Sequence, residues 1–292
     1  MNNPLWVDIK QTTKQICFVM KKKNCSLFDL TSHQKFLFFI GLRKWGLTIV
    51  RTKRICKSVP STEILSVLSI AFALIEKKRY SDFTIVDQSV KAIKKLVGKK
   101  PSSLVNYILR NTIDNEQKVK EDYISNISLW NSPTWWINRV KKDYPKKFKS
   151  ILEINSLSPP LTIRITGSEK VKNNFFTKIV SEGKNFYELG KNSFSIVPPF
   201  DICSTSHFQE GLISIQDVSA QRILEIVKIK EGMNVLDACA APGGKTFALA
   251  SNFKSFNLVS NDISKERVKK MEKDIERQKK FLNVYPKTIV SD

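Results

Sequence analysis

The sequence predicts a multidomain chain: an all-α region, a small α+β segment, and then the start of an open parallel α/β layer. Three observations predict this order. Apolar residues recur at three- and four-residue spacing up to about residue 110, with no competing strand alternation. Leu161-Thr162-Ile163-Arg164-Ile165 then alternates as a strand does. Beyond Asn234, short apolar runs alternate with helical segments, which is how a parallel sheet is built.

The helical region is read first. Phe36 to Ile40 leads into Leu42 and Trp45, and Ile64, Leu65, Val67, Leu68, Phe72, Leu74 and Ile75 give a wide apolar face. Pro60-Ser61-Thr62-Glu63 reads as a helix start, Gly98 as a stop, and Pro101-Ser102-Ser103 as the opening of a further helix. Val86, Val90, Ile93 and Val97 form the face between them. Residues 111–128 are polar and read as a linker or a solvated helix. Pro133 opens the next helix and Tyr144-Pro145 closes it. Trp130, Trp135 and Trp136 cluster there. Such residues stack nucleic-acid bases in some proteins, but at these spacings the packed junction is the preferred reading.

The α+β segment follows, with the strand at Leu161, a helix over 169–180 and a second short strand from Ser193 to Val197. The expected boundaries are 1–125 for the helical domain, 126–205 for the α+β segment and 206–292 for the α/β part.

Composition narrows the class. The 292 residues are 41% hydrophobic and 26% charged, which supports packed cores and excludes a wholly disordered chain. The longest apolar stretch, Ile64 to Ile75, is interrupted by Ser66 and Ser69 and falls short of the about 20 residues of a membrane span, so no membrane partner is expected. Neither a basic start nor a small-residue cleavage site precedes Trp6. Cys17, Cys25, Cys56, Cys203 and Cys239 are scattered without paired spacing, and His33 and His207 lie far apart. These features predict reduced thiols, a cytoplasmic location and no metal site. Nothing in the sequence indicates an oligomer.

The net charge is +22, from 49 basic and 27 acidic residues. A nucleic-acid partner explains such a surplus, since Lys and Arg displace counterions from phosphates. Compositional bias explains it equally: 39 of the basic residues are Lys and only 10 are Arg, the better bidentate phosphate ligand. The surplus is spread, +13 over residues 1–130 and +9 over 131–292. Charge alone leaves both readings open.

The third region carries the chemistry. Gln216 to Val227 reads as an amphipathic helix, leading to an apolar strand over Asn234 to Ala238. Next come the turn Cys239-Ala240-Ala241-Pro242-Gly243-Gly244-Lys245-Thr246 and a helix over Phe247 to Ser251. A strand over Leu258 to Asp262, a charged helix from about Ser264 to Lys280, and a strand over Thr288 to Asp292 complete a Rossmann-type half-sheet. Glycines let a ligand approach the backbone, and the helix start offers unpaired N–H groups to an anion. Gly244-Lys245-Thr246 matches the end of a P-loop, but Cys239 stands where that motif needs glycine. A dinucleotide G-x-G-x-x-G pattern is absent. S-adenosylmethionine is the third option. An acid at the end of the second strand would take its ribose hydroxyls, and Asp262, 18 residues beyond Gly244, stands there. Asp292 ends the third strand in the same way. Asp262 alone also reads as a helix cap; with the glycine turn, ligand binding is favoured.

The run Val235-Leu236-Asp237-Ala238 into Cys239–Thr246 resembles the first motif of the RNA cytosine-C5 methyltransferases of the Nop/Sun group. Phe208-Gln209-Glu210-Gly211 and Ile215 to Gln221 resemble that family's lead-in helix. Trp135-Trp136-Ile137-Asn138-Arg139 with Tyr144-Pro145 resembles its inter-domain segment. Residues 64–110 resemble the NusB-type RNA-binding domain fused to the bacterial Sun/RsmB branch, whose substrate is 16S ribosomal RNA. The resemblance implies S-adenosylmethionine as cofactor, held by Cys239, Ala240, Ala241, Pro242, Gly243, Gly244 and Lys245 with Asp262 and Asp292. It also implies methyl transfer to C5 of a cytosine. In the family a cysteine thiolate adds to C6 and a second cysteine assists its departure. Both lie in motifs after the third strand, so no catalytic residue is assigned, and Cys239 belongs to the cofactor turn. The family sheet has about seven strands. The expectation is therefore a truncated or partial chain, with weak cofactor binding and an open apolar edge at the Val235 strand. The alternative is a non-catalytic RNA-binding protein acting through its helical domain.

Overall fold

The computed structural model describes residues 3–21, 27, 30–115 and 126–292. Most of the polar stretch after Asn111, and Cys25, lie outside them. Two compact units result, residues 1–158 and 159–292.

The first unit is helical: α1 (Leu5–Met20), α2 (Ser32–Arg43), α3 (Trp45–Ile55), α4 (Thr62–Lys77), α5 (Asp82–Val97) and α6 (Lys99–Asp114). Every residue of α4 from Ile64 to Leu74 is buried, as expected of a helix surrounded by others. It packs against α1, α2, α3, α5 and α6. The starts follow the expected chemistry. The Ser61 hydroxyl accepts from the Ile64 N–H, and Ser81 does the same for Thr84. Thr31 and Gln34 form a reciprocal capping box. Gly98 ends α5, and Pro101 sits in the first turn of α6, where its missing N–H costs nothing.

Among the described residues this unit continues with α7 (Asn126–Trp130), α8 (Thr134–Asp143) and α9 (Phe148–Ser156). The start of α3 meets the end of α7 closely, since a Cβ at Gly46 would lie 2.3 Å from the Ile127 carbonyl oxygen. Asn131 secures the contact, accepting from the Gly46 N–H at 2.7 Å and donating to the Leu42 carbonyl at 2.8 Å. Trp130, Ile137, Val140 and Leu152 form a small core. The packed reading of the tryptophans holds for Trp130, 7% exposed, and fails for Trp135 and Trp136, 69% and 37% exposed. The buried face of α8 carries Ile137 and Val140, and Trp135 lies across the helix from them.

The second unit opens with β1 (Leu161–Ile165), α10 (Glu169–Ser181), β2 (Asn185–Gly190) and β3 (Ser193–Val197). It continues through α11 (Ser206–Gln209) to β4 (Ile213–Ile215). The four strands form an antiparallel sheet in the order β2-β3-β1-β4. Ile163, Ile165, Phe194 and Ile196 pack with Phe175, Phe176 and Ile179 of α10. The other face is polar yet buried, carrying Arg164, Ser193, Ser195 and Ser214.

One expected helix is divided. Residues 216–227 form two short turns, α12 (Val218–Gln221) and α13 (Ile223–Ile226), and Ile215 ends β4 instead of leading a helix. The cause is polar. Gln216 accepts from Arg164 Nε at 3.2 Å, and Gln221 accepts from the Ser193 hydroxyl at 2.6 Å while donating to the Gln216 carbonyl at 3.1 Å. These bonds tie the segment to the antiparallel sheet, and the chain turns at Arg222.

The unit ends with β5 (Asn234–Asp237), α14 (Gly244–Asn252), β6 (Asn257–Asn261), α15 (Lys265–Gln278) and β7 (Lys287–Ile289). The parallel sheet has the order β5-β6-β7. Among the described residues β5 pairs only with β6, and Leu236 is exposed on it.

Candidate cofactor site

The site lies at the carboxyl ends of β5 and β6, where ligands bind in open α/β sheets. Between β5 and α14 the chain must reverse within six residues. Gly243 makes this possible with φ +104°, and a Cβ there would meet Phe247 Cζ at 2.4 Å and Met271 Cγ at 2.9 Å. Its N–H donates to the Ala240 carbonyl at 2.7 Å, and its carbonyl accepts from the Phe247 N–H at 2.8 Å. No side chain caps α14. Its first-turn N–H groups are thus available to an anionic ligand group, such as the carboxylate of an amino-acid-like cofactor.

The turn is held from behind. Ala240 N–H donates to the Asn261 carbonyl at 2.7 Å. Thr246, fully buried, donates to Asp237 at 2.8 Å and lies 3.1 Å from the Ser260 hydroxyl, joining α14 to β5 and β6. Ala240, Ala241 and Gly243 are buried, whereas Cys239, Pro242 and Lys245 face solvent.

Asp262 is 3% exposed. One oxygen accepts from the Ala241 N–H at 3.1 Å and the other from the Ser264 N–H at 3.0 Å. Arg267 approaches the carboxylate at 3.4 Å and also donates to the Ala241 carbonyl. The structure therefore brings Asp262 to the glycine turn, where it holds the Ala241 backbone. Ser264, not Asp262, caps α15. A carboxylate has about four acceptor sites, so this bonding leaves room for a hydroxyl. Asp292 is exposed, directly after Ser291, whose N–H donates to Asn261 Oδ1 at 3.0 Å at the end of β6.

Sequence reasoning passed over three residues here. Arg267 spans the turn and Asp262; its signal was its place one turn into the helix after the acid. Ile263 is an apolar side chain left exposed beside Asp262, suited to the flat face of a ligand ring. Asn261 ties the ends of all three strands, donating to the carbonyls of Ala238 and Ser291.

Behind the site, Arg164 is buried without a carboxylate. It donates to Gln216, Ser251 and Ser214, and burial pushes its pKa down to about 10, with nearby Arg277 adding to the effect. Among the described residues there is no cluster able to hold a metal ion, and no helix is long and apolar enough to cross a membrane.

Two family descriptions match this chain. Residues 132–191 match the ferredoxin-like domain of RsmF/B-like methyltransferases, and residues 224–289 match 16S rRNA methyltransferase RsmB/F. Ribosomal RNA small subunit methyltransferase B of Vibrio vulnificus is 26% identical over 71% of this chain and 48% of its own length. The protein of that name from Proteus mirabilis is 28% identical over 62% of this chain and 44% of its own. The chain thus spans about half the length of these curated relatives. The solved structure of PH0851 covers 100% of this chain and 70% of its own, with a TM-score of 0.69 at 19% identity, which shows a shared fold. The glycine turn, the ferredoxin-like sheet before it and these relatives agree: the chain is similar to the Sun/RsmB-type methyltransferases, and the similarity supports S-adenosylmethionine as its cofactor.

Proposed function

We propose that this chain carries the cofactor-binding part of an enzyme that methylates C5 of a cytosine in 16S ribosomal RNA. The observation that carries the reading is the uncapped start of α14 at Gly243, beside Asp262. In this reading the backbone from Cys239 to Lys245 takes the amino-acid end of S-adenosylmethionine, and Asp262 and Asp292 take its ribose and adenine. Bound there, the cofactor supplies an electrophilic methyl group. The helical region 1–125 serves as a NusB-like RNA-binding domain; the connecting α+β domain expected over 126–205 runs on to β4, which completes its sheet, and the cofactor-binding part follows it to residue 292.

No described cysteine is placed as a nucleophile. Burial raises the pKa of Cys17 and of Cys56, which disfavours the thiolate at both. Cys203 is raised too, by burial and then by Asp201, and Cys239 lies in the cofactor turn. Methyl transfer by this chain alone is therefore not expected. Calorimetric titration with S-adenosylmethionine tests the reading. Weak but saturable binding, displaced by S-adenosylhomocysteine and not by ATP, is the expected result. Binding of ATP in its place would revive the P-loop reading and overturn this one.

A further inference from the structure

We propose that the outward stripe of α8 (Trp135, Arg139 and Lys142) is a docking surface for single-stranded RNA, with Trp135 as a stacking platform. The inference rests on the RNA-directed function above and assigns to it a surface of the first unit, away from the cofactor turn in the sequence.

Helix geometry sets the stripe. Residues at i, i+4 and i+7 share one face, so Trp135, Arg139 and Lys142 line up. Ile137 and Val140 occupy the opposite face and are buried with Trp130 and Leu152. This helix has therefore met its core requirement without Trp135. An indole left in water forgoes a large burial gain. Trp136 stands nearly perpendicular to it, ring centroids 5.8 Å apart at 72°, and Trp135 stays 69% exposed beside this neighbour.

The charge along this segment is predominantly positive. From Thr134 to Lys149 there are six cations, Arg139, Lys141, Lys142, Lys146, Lys147 and Lys149, against the single acid Asp143. All six are exposed. Arg139 donates to Asp143 through Nε at 2.7 Å, and its side chain is 68% exposed, so phosphate can reach the guanidinium. A flat aromatic face within a cationic border is what a single strand requires: bases stack on the ring and phosphates meet the cations. A duplex keeps its bases stacked on one another and gains nothing from the indole. An acidic peptide would use the cations and be indifferent to aromaticity.

The test uses the full chain and a fluorescent, unstructured RNA of about twelve nucleotides, followed by anisotropy at several salt concentrations. The expected result is preference for the single strand over its duplex, and a loss of about tenfold in Trp135→Ala. Trp135→Phe retains the affinity within about twofold, and Trp135→Leu behaves as the alanine variant does. Arg139→Gln and Lys142→Gln each lower the slope of log K against log salt by about 0.7. Circular dichroism checks that the exposed substitutions leave the fold intact. Wild-type affinity in Trp135→Leu would mark a purely ionic or apolar face and overturn the proposal. If the wild type binds RNA and Trp135→Ala binds equally well, the stripe is wrong and the RNA reading stands. If the wild type binds none at any salt, the RNA reading itself is wrong.

Discussion

Thr13, Thr52 and Thr112 in the helical unit and Thr246 in the C-terminal unit are all buried threonines, yet their hydroxyls go to different places. The first three donate to carbonyls four residues back in their own helices, each at 2.8 Å. Thr246 reaches across elements, to Asp237 on β5 and Ser260 on β6. The pattern extends beyond threonine. Ser66 and Ser69 of α4 also bond back to their own helix, while Arg164, Ser193, Ser214 and Gln221 join separate elements of the second unit. Most buried hydroxyls of the helical unit bond within their own helices. Only a few groups, such as Thr12 donating to the Gln34 carbonyl and Asp8 accepting from Gln34, reach between helices that are otherwise held by apolar packing. The second unit is tied together by polar bonds, and they converge behind the cofactor turn. One unit is vulnerable to lost volume and the other to lost partners.

The sharpest break is expected at Gly243→Ala. A side chain in this left-handed conformation costs about 1–2 kcal/mol, and the overlap with Phe247 adds about 1–3 kcal/mol. S-adenosylmethionine binding should vanish in calorimetry, and hydrogen exchange should rise in α14 while α4 stays protected. Exchange that rises equally in α4 would undo the contrast between the units. In the helical unit the matching experiment is Leu68→Ala in the buried stretch of α4. It should cost about 3 kcal/mol in urea unfolding through the cavity it leaves, with cofactor binding unchanged.

Arg164→Met comes next. It removes a buried cation but strands the acceptors on Gln216, Ser214 and Ser251, for a net loss of about 1–3 kcal/mol. The gain from no longer burying an unpaired charge works against that loss. A variant more stable than wild type in thermal unfolding would show that the desolvation of Arg164 outweighs its three bonds.

The same contrast explains what the sequence reveals. The helical unit is legible because its stability lies in periodic apolar residues, and Ser61, Gly98 and Pro133 punctuate it by local chemistry. The glycine turn is legible because a positive φ and a close approach demand particular residues at Gly243. Gln216 and Gln221 are not legible: each reads as a helix residue, and only tertiary partners reveal that they break the helix at Arg222. Trp135 misleads for a related reason. Its spacing from Trp130 suggests a shared core, but Ile137 and Val140 already fill that face. Asp262 shows the limit on the site itself. Its position in the sequence brings it to the cofactor turn, and its bonds to Ala241 and Ser264 depend on how the turn folds around it.

The smallest expected effect is also the most direct measure of the difference between the units. Thr52→Val removes a hydroxyl whose acceptor, the Thr48 carbonyl, sits in a helix where carbonyls already have backbone partners. Valine fills nearly the same volume and keeps the β-branch, so the cost should be under about 0.5 kcal/mol. Thr246→Val is the same chemical change with another consequence. It leaves Asp237 and Ser260 without their partner beneath the cofactor turn, at about 1–2 kcal/mol in urea unfolding. Thr246→Ser restores the donor while giving up a methyl group, so it should recover part of the stability and more of the cofactor affinity. Measured side by side, the two valine variants compare one substitution in two settings. Equal costs would mean that the hydroxyl bonds of Thr246 add no more than a helix's internal bonds do, and the polar ties behind the site would then be a consequence of its geometry and not a cause.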